Sequence, residues 1–173
     1  MEDLRGIFDA ITERFEMPIR IGGRCESDVY YRVEDLGSRD IEACAKFVGE
    51  RIRKVCYPTR PELLISLRGS YTGLATELST QLARDGEPME VIEFDQVSAG
   101  NGIGSRVKNA NVILVNDVIT TARSSLEAHT RVTVMGGSIL CWAALIDRTF
   151  GPGPVPVVAA FTGAPVTLLD GIL

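Results

Sequence analysis

Lysine and histidine are nearly missing from this chain. Its 173 residues carry 18 basic side chains, yet only Lys46, Lys54 and Lys108 are lysines, and the one histidine is His129. Chemistry resting on an amine or an imidazole therefore has very few places to sit. Cysteine is sparse and dispersed: Cys25, Cys44, Cys56 and Cys141 form no C-x-x-C pair and no cluster with His129. That excludes the usual zinc and thioredoxin-like spacings. A chain of this length builds its own core, so reduced thiols and a cytoplasmic address are expected rather than a disulfide framework. No stretch approaches the roughly 18 uninterrupted apolar residues of a membrane-spanning helix. Met1 to Arg5 is not a basic segment followed by an apolar run, so no signal peptide is expected.

What is present is the composition of one ordinary domain, 45% hydrophobic and 24% charged, with a net charge of −5. A domain of this size buries about two-thirds of its unfolded surface. The acidic balance argues against a broad nucleic-acid face, while arginines remain available for one anionic site. Neither a nucleic-acid nor a membrane partner is expected.

Leu4, Ile7, Phe8, Ile11 and Phe15 recur at helical spacing, which predicts an amphipathic helix over residues 2–15. Residues 18–37, with Gly22-Gly23, Gly37 and Tyr30-Tyr31, read as short strands and turns, and residues 16–37 as a small flap. Ser38 is a plausible N-cap for a helix running to Val55, with Ile41, Ala45, Val48, Ile52 and Val55 inward. Pro58 and Pro61 precede an apolar strand at Leu63–Leu67. A helix carrying Leu74, Leu78 and Leu82 and a strand at Glu90–Phe94 come next. Residues 95–109, with Gly100, Gly102 and Gly104, read as a long mobile loop. Val112–Val115 is continuous and apolar, as in strands buried on both faces. A helix then runs to Gly136-Gly137, a strand from Ile139 to Ile146, and two short strands close the chain. Alternating strands and helices predict a single α/β domain spanning 1–173, with a mainly parallel central sheet flanked by helices.

In such sheets ligands bind beyond the carboxyl ends of the strands. Three strand ends carry unusual residues: Arg68-Gly69-Ser70, Asn116 through Ser125, and Asp147-Arg148. In the second, Asn116 and Asp117 precede the hydroxyl residues Thr120, Thr121, Ser124 and Ser125, where a helix starts. Backbone N–H groups at a helix N-terminus together with hydroxyls make a phosphate site. The plainer reading of the same residues is Ser124 as an N-cap and Asp117 as a turn residue. His129 reads as an ordinary helix-face histidine, and Arg39, Lys46, Arg51, Arg53 and Lys54 as a solvated or subunit-facing surface.

Val112–Ser124, VILVNDVITTARS, resembles the signature of type I phosphoribosyltransferases: four apolar residues, an acidic pair, two apolar residues and a phosphate loop. Gly23-Arg24-Cys25-Glu26-Ser27 with Tyr30-Tyr31 is similar to the N-terminal hood of the orotate branch, and Leu145-Ile146-Asp147-Arg148 to the strand that ends there in Asp-Arg. The order of elements agrees over about residues 1–170. The resemblance implies the type I phosphoribosyltransferase-like fold with residues 16–37 as hood. It implies Asn116 and Asp117 at the ribose hydroxyls of phosphoribosyl pyrophosphate, and Thr120, Thr121, Ala122, Arg123 and Ser124 around its 5′-phosphate. Arg68-Gly69-Ser70 would meet the pyrophosphate and its Mg²⁺, with Asp117 reaching the ion through a water at most. Arg148 would pair with an orotate-like base, Tyr30 and Tyr31 would cover it, and Arg24 would belong to the same hood. A transferase releasing pyrophosphate, acting in pyrimidine nucleotide synthesis as a homodimer, is what these positions imply.

The chain departs from the family's pattern in four places. Asn116 stands where the acidic pair has its first carboxylate. Ala122 replaces a glycine that allows close backbone approach. The stretch from Phe94 to Gly104 contains no base, the first being Arg106 and Lys108, where orotate enzymes keep several cations. The hood's lysine is absent from Arg20-Ile21-Gly22-Gly23-Arg24. These departures motivate a second expectation, a ligand-sensing protein of the same fold that binds a phosphorylated ribose without turnover.

Overall fold

The computed structural model describes residues 4–21, 25–67, 73–83, 85–95, 103–149 and 151–169. Arg24, Arg68, Gly69, Ser70 and residues 96–102 of the expected loop lie outside that set. The helices are α1 (Leu4–Ala10), α2 (Ser38–Val55), α3 (Leu74–Gln81), α4 (Ile103–Val107) and α5 (Arg123–Val134). The strands are β1 (Thr12–Ile21), β2 (Cys25–Tyr31), β3 (Leu63–Ser66), β4 (Glu90–Glu93), β5 (Asn111–Ile119), β6 (Ser138–Asp147), β7 (Val157–Thr162) and β8 (Thr167–Leu168).

Five strands form one sheet in the order β4-β3-β5-β6-β7, and every pairing is parallel. Successive side chains leave a strand on opposite faces, and here both faces are covered. Leu64, Ile113, Val115, Cys141 and Ala143 pack with Phe8 of α1, Ile41, Val48 and Ile52 of α2, and Leu78 of α3. Their neighbours Leu63, Ile65, Val112, Leu114 and Trp142 pack with Ile103 and Val107 of α4 and Ala128 and Val132 of α5. Double coverage is why β5 reads as an unbroken apolar run. Each such buried aliphatic side chain contributes about 1.5–3 kcal/mol relative to leaving it exposed.

Four local features differ from the sequence expectation. The first helix ends at Ala10, and Thr12 to Phe15 belong to β1, where Thr12 faces Tyr31 and Arg14 faces Val29 of β2. The Thr12 hydroxyl donates to the Phe8 carbonyl at 2.6 Å, satisfying one of the last carbonyls of α1. Apolar spacing alone carried the helix too far, because the pairing that stops it lies 19 residues away across Thr12 and Tyr31. In α2 the cap is Gly37, whose backbone N–H donates to Asp40 Oδ2 at 3.0 Å, so Ser38 is the first helical residue. Val55 at the end of that helix is 45% exposed rather than inward. Within the expected loop, residues 103–107 form α4, with Ile103 and Val107 buried one turn apart.

The hood is a three-stranded antiparallel sheet, β1-β2-β8. It starts at Thr12 rather than residue 16, and the segment after Tyr31 is a 3-10 turn, Val33–Asp35, leading into α2. Its third strand comes from the far end of the chain, with Thr167 and Leu168 opposite Glu26 and Cys25. Gly163, just beyond β7, lies in the seam between hood and main sheet. A Cβ there would meet Ile146 Cγ2 at 2.8 Å and Arg148 Cγ and Tyr31 Cε2 at 3.0 Å. Gly163→Ala is therefore expected to destabilise the protein by about 1–3 kcal/mol through overpacking, read as a lower urea midpoint.

Candidate phosphate site at the end of β5

The chain leaves β3 for β4 on one side and returns as β5 on the other, so the strand order reverses between β3 and β5. Ligands in open α/β sheets bind outside the carboxyl ends of strands at such a point. β5 runs on to Ile119, which places Asn116 and Asp117 within the strand rather than after it. Beyond it lies a cavity of about 260 Å³, formed by Asn116, Val118 and Ile119 of β5, the loop Thr120–Ser125, and Ile21 and Cys25 of the hood.

The loop enters α5 through Ala122, the N-cap, whose φ of 58° is left-handed. Its carbonyl accepts the Leu126 N–H at 2.8 Å, so helical hydrogen bonding starts there. The first N–H groups of a helix have no intrahelical acceptor, and the helix dipole makes that end electropositive. The first turn of α5 holds no acidic side chain to occupy them, and Arg123 adds a full positive charge. A cavity that meets hydroxyls, unpaired N–H groups and a guanidinium is suited to a phosphate dianion. Alanine in the left-handed region costs roughly 1 kcal/mol. Ala122→Gly is thus expected to raise stability by about that amount, measurable as a higher thermal midpoint.

At the level of sequence, no protein-family model matches the chain and no curated protein matches it. Solved structures do match in three dimensions. Orotate phosphoribosyltransferase from Mycobacterium tuberculosis H37Rv, in complex with Fe(III) dicitrate, superposes with a TM-score of 0.64 at 19% identity, over 92% of this chain and 94% of that one. The chain has the type I phosphoribosyltransferase fold. Two further structures share it. The HGPRT-ase of Leishmania tarentolae in complex with GMP matches with a TM-score of 0.55 at 16% identity, over 73% and 78% of the two chains. A hypothetical protein from Neisseria gonorrhoeae with bound ppGpp matches with a TM-score of 0.58 at 13% identity, over 75% and 82%.

Within this phosphoribosyltransferase fold the expected residues separate into two groups. Thr120, Thr121, Ala122, Arg123 and Ser124 all line the cavity, as does Asn116. Asp117 does not line it; its side chain is buried, and its backbone N–H donates to Asn116 Oδ1 at 2.9 Å. Arg148 and Tyr31 do not line the cavity and form a clasp beside it, where the Arg148 backbone N–H donates to the carbonyl of the cavity residue Ile119 at 2.8 Å. Arg148 is 3% exposed, donates from Nε to the Ala164 carbonyl at 2.7 Å and from Nη2 to Ser27 Oγ at 2.6 Å, and lies 5.2 Å over the Tyr31 ring. The Tyr31 hydroxyl accepts the Ala164 N–H at 2.8 Å, while Tyr30, on the opposite face of β2, is half-buried. These bonds join β2, the end of β6 and the segment after β7.

Three other arginines are also engaged. Arg106, the first base after the glycine-rich stretch, forms an ion pair with Glu90 of β4. Arg51 donates to the Ala159 carbonyl of β7 at 3.4 Å, and Arg53 to the Gln81 carbonyl at the end of α3. Sequence reasoning missed Ile21 and Cys25 as cavity residues and Ser27 as a partner of Arg148. A signal for Ser27 existed, since Cys25, Ser27, Val29 and Tyr31 alternate inward along β2.

His129 sits on α5 outside the cavity, with its ring edge-on to Trp142 at 6.1 Å and its Nδ1 buried without a partner among the described residues. Burial pushes its pKa below the ordinary value of 6.5. A depressed imidazole pKa means that the unfolded chain takes up the proton first. Stability is then lost as the pH falls through about 6.5 and levels off below the folded value. Urea midpoints at pH 7.5 and 5.5 should differ more for the native protein than for His129→Gln.

Proposed function

We propose that this protein binds phosphoribosyl pyrophosphate with Mg²⁺ in the cavity beyond β5 and transfers the phosphoribosyl group to a nitrogenous base, releasing pyrophosphate. The observation that carries the reading is the loop Thr120–Ser124 lining a cavity at the N-terminus of α5 and the reversal point of the sheet. The loop N–H groups and hydroxyls would hold the 5′-phosphate. Asn116 Oδ1 is already occupied by the Asp117 N–H, which leaves its amide hydrogens for ribose hydroxyl oxygens. The fixed dipoles at the phosphate end orient the ribose, and orientation together with electrostatic stabilisation is most of what this class of displacement requires. Among the described residues no three His, Cys, Asp or Glu side chains could cage a metal. Mg²⁺ would enter on the diphosphate oxygens, keep most of its waters and neutralise leaving-group charge.

A second reading is binding of a phosphorylated ribose compound without turnover. It is favoured by Arg148 and Arg106 being committed to Ser27, Ala164 and Glu90, and by an amide at Asn116. The solved neighbours include proteins bound to GMP and to ppGpp, so a nucleotide is a fitting ligand under this reading. Calorimetric titration with phosphoribosyl pyrophosphate and Mg²⁺, followed by a pyrophosphate-release assay with orotate, uracil and purine bases, separates the two. Release with any base supports the transferase, and binding without release supports the sensor. No binding of any phosphorylated ribose overturns both.

A further inference from the structure

All four cysteines are free thiols, and two that stand 85 residues apart in sequence meet in the fold. Cys56 Sγ lies 3.9 Å from Cys141 Sγ, and each can donate its S–H to the other. Cys141 is in the middle of β6, fixed opposite Ile113 of β5, and fully buried. Cys56 is the C-cap of α2 and is followed by the exposed stretch Tyr57–Arg60. It borders a second cavity, about 390 Å³, that also takes in Arg53, Tyr57, Pro58 and Arg60. This cavity adjoins the segment entering β3, so it lies by the amino end of the sheet, away from Asn116 and Thr120.

From this geometry we propose that Cys56 and Cys141 are an oxidation site for hydroperoxides, in which Cys56 reacts from the cavity and Cys141 resolves it as an internal disulfide. The Cys56 thiolate attacks one oxygen of hydrogen peroxide. An S–O bond forms as the O–O bond breaks, and with one proton taken up the products are a sulfenic acid on Cys56 and water. The Cys141 sulfur then attacks the Cys56 sulfur, the S–O bond breaks, and a second water leaves. In sum, two thiols and one hydrogen peroxide give one disulfide and two waters.

The division of roles follows from the surroundings. Donation by the Cys141 S–H holds the Cys56 thiol below its ordinary value. The same bond, together with burial, pushes Cys141 upward. Thiolate fraction and access decide which sulfur reacts first, and Cys56 is 7% exposed and borders the cavity, whereas Cys141 has no exposed surface. The sulfurs must close by about 1.9 Å to reach a bonding distance of about 2.05 Å. Cys56, at a helix end beside exposed chain, is the side that can move. Cys44 supplies an internal control, since burial pushes its thiol up to about 12.

The test uses the intact native protein and hydrogen peroxide alone. After brief treatment and quenching, thiols titrated in denaturant should fall from the native four to half that number. Mass spectrometry should show a loss of about 2 Da and a peptide joining Cys56 to Cys141. In Cys141→Ser the reaction should stop at a sulfenic acid on Cys56 that dimedone traps, at least tenfold faster than any adduct on Cys44. An unchanged thiol count in the native protein, pairing through Cys25 or Cys44, or dimedone labelling of Cys56 no faster than of Cys44 would each overturn the proposal.

Discussion

Arg148→Ala should lower folding stability by about 3 kcal/mol or more, and the loss should appear first in the hood. Hydrogen bonds to a charged donor contribute about 1.5–3 kcal/mol each, and Arg148 makes two, to Ser27 Oγ and the Ala164 carbonyl. The Tyr31 ring beneath the guanidinium adds a cation–π contact of about 0.5–2 kcal/mol. Burial works the other way, and it pushes the Arg148 pKa down against the raising influence of Tyr31, Cys25 and Asp28. Ser27 Oγ keeps the Val29 N–H at 3.0 Å after truncation, so the Ala164 carbonyl bears most of the loss. For a chain of this length, 3 kcal/mol corresponds to a thermal midpoint about 6–12 °C lower. Amides of β2 and β8 should exchange faster than those of β5 and β6. An unchanged midpoint combined with altered ligand binding would return Arg148 to the base-contacting role that its sequence position implies.

That contrast shows where sequence reading reaches its limit. Val112–Val115 and the inward face of α2 were legible because a strand covered on both sides and a helix covered on one leave local hydrophobic patterns. The loop Thr120–Ser124 was legible as one unit because the residues that line the cavity there are contiguous in sequence. The role of Arg148 is not contiguous: its partners lie 121 and 16 residues away, at Ser27 and Ala164. An arginine at a strand end suits a planar ligand and a buried carbonyl equally well, and local sequence does not show the tertiary neighbours that distinguish them. The Asn116-Asp117 pair posed the same difficulty. Adjacent strand residues face opposite ways, so one of the two reaches the cavity and the fold alone shows that it is Asn116. The boundary of α1 failed for a related reason: the pairing of Thr12 with Tyr31 overrides an apolar spacing that fits a longer helix. The five residues of α4 are too few to make a periodic signal.

Ser124→Asp should separate the ligand site from the stability of the helix that forms it. Ser124 is exposed in the first turn of α5, on the lining of the cavity, in a turn without any acidic side chain. A carboxylate near a helix N-terminus stabilises by about 0.3–1 kcal/mol, so the variant should unfold at the same temperature as the native protein or slightly higher. The same carboxylate stands where the 5′-phosphate would sit. Juxtaposed like charges cost several kcal/mol, and at about 1.4 kcal/mol per decade the affinity for phosphoribosyl pyrophosphate should fall at least 100-fold. Arg123→Ala, which removes one exposed cation and leaves the N–H groups in place, should cost about tenfold. His129→Ala, outside the cavity, should stay within about threefold, and titration calorimetry at fixed salt reads all three. A Ser124→Asp protein that is folded and still binds with native affinity would place the phosphate elsewhere in the molecule. A protein that loses binding while gaining stability would locate it at the start of α5, because the loss could not then come from unfolding of the helix.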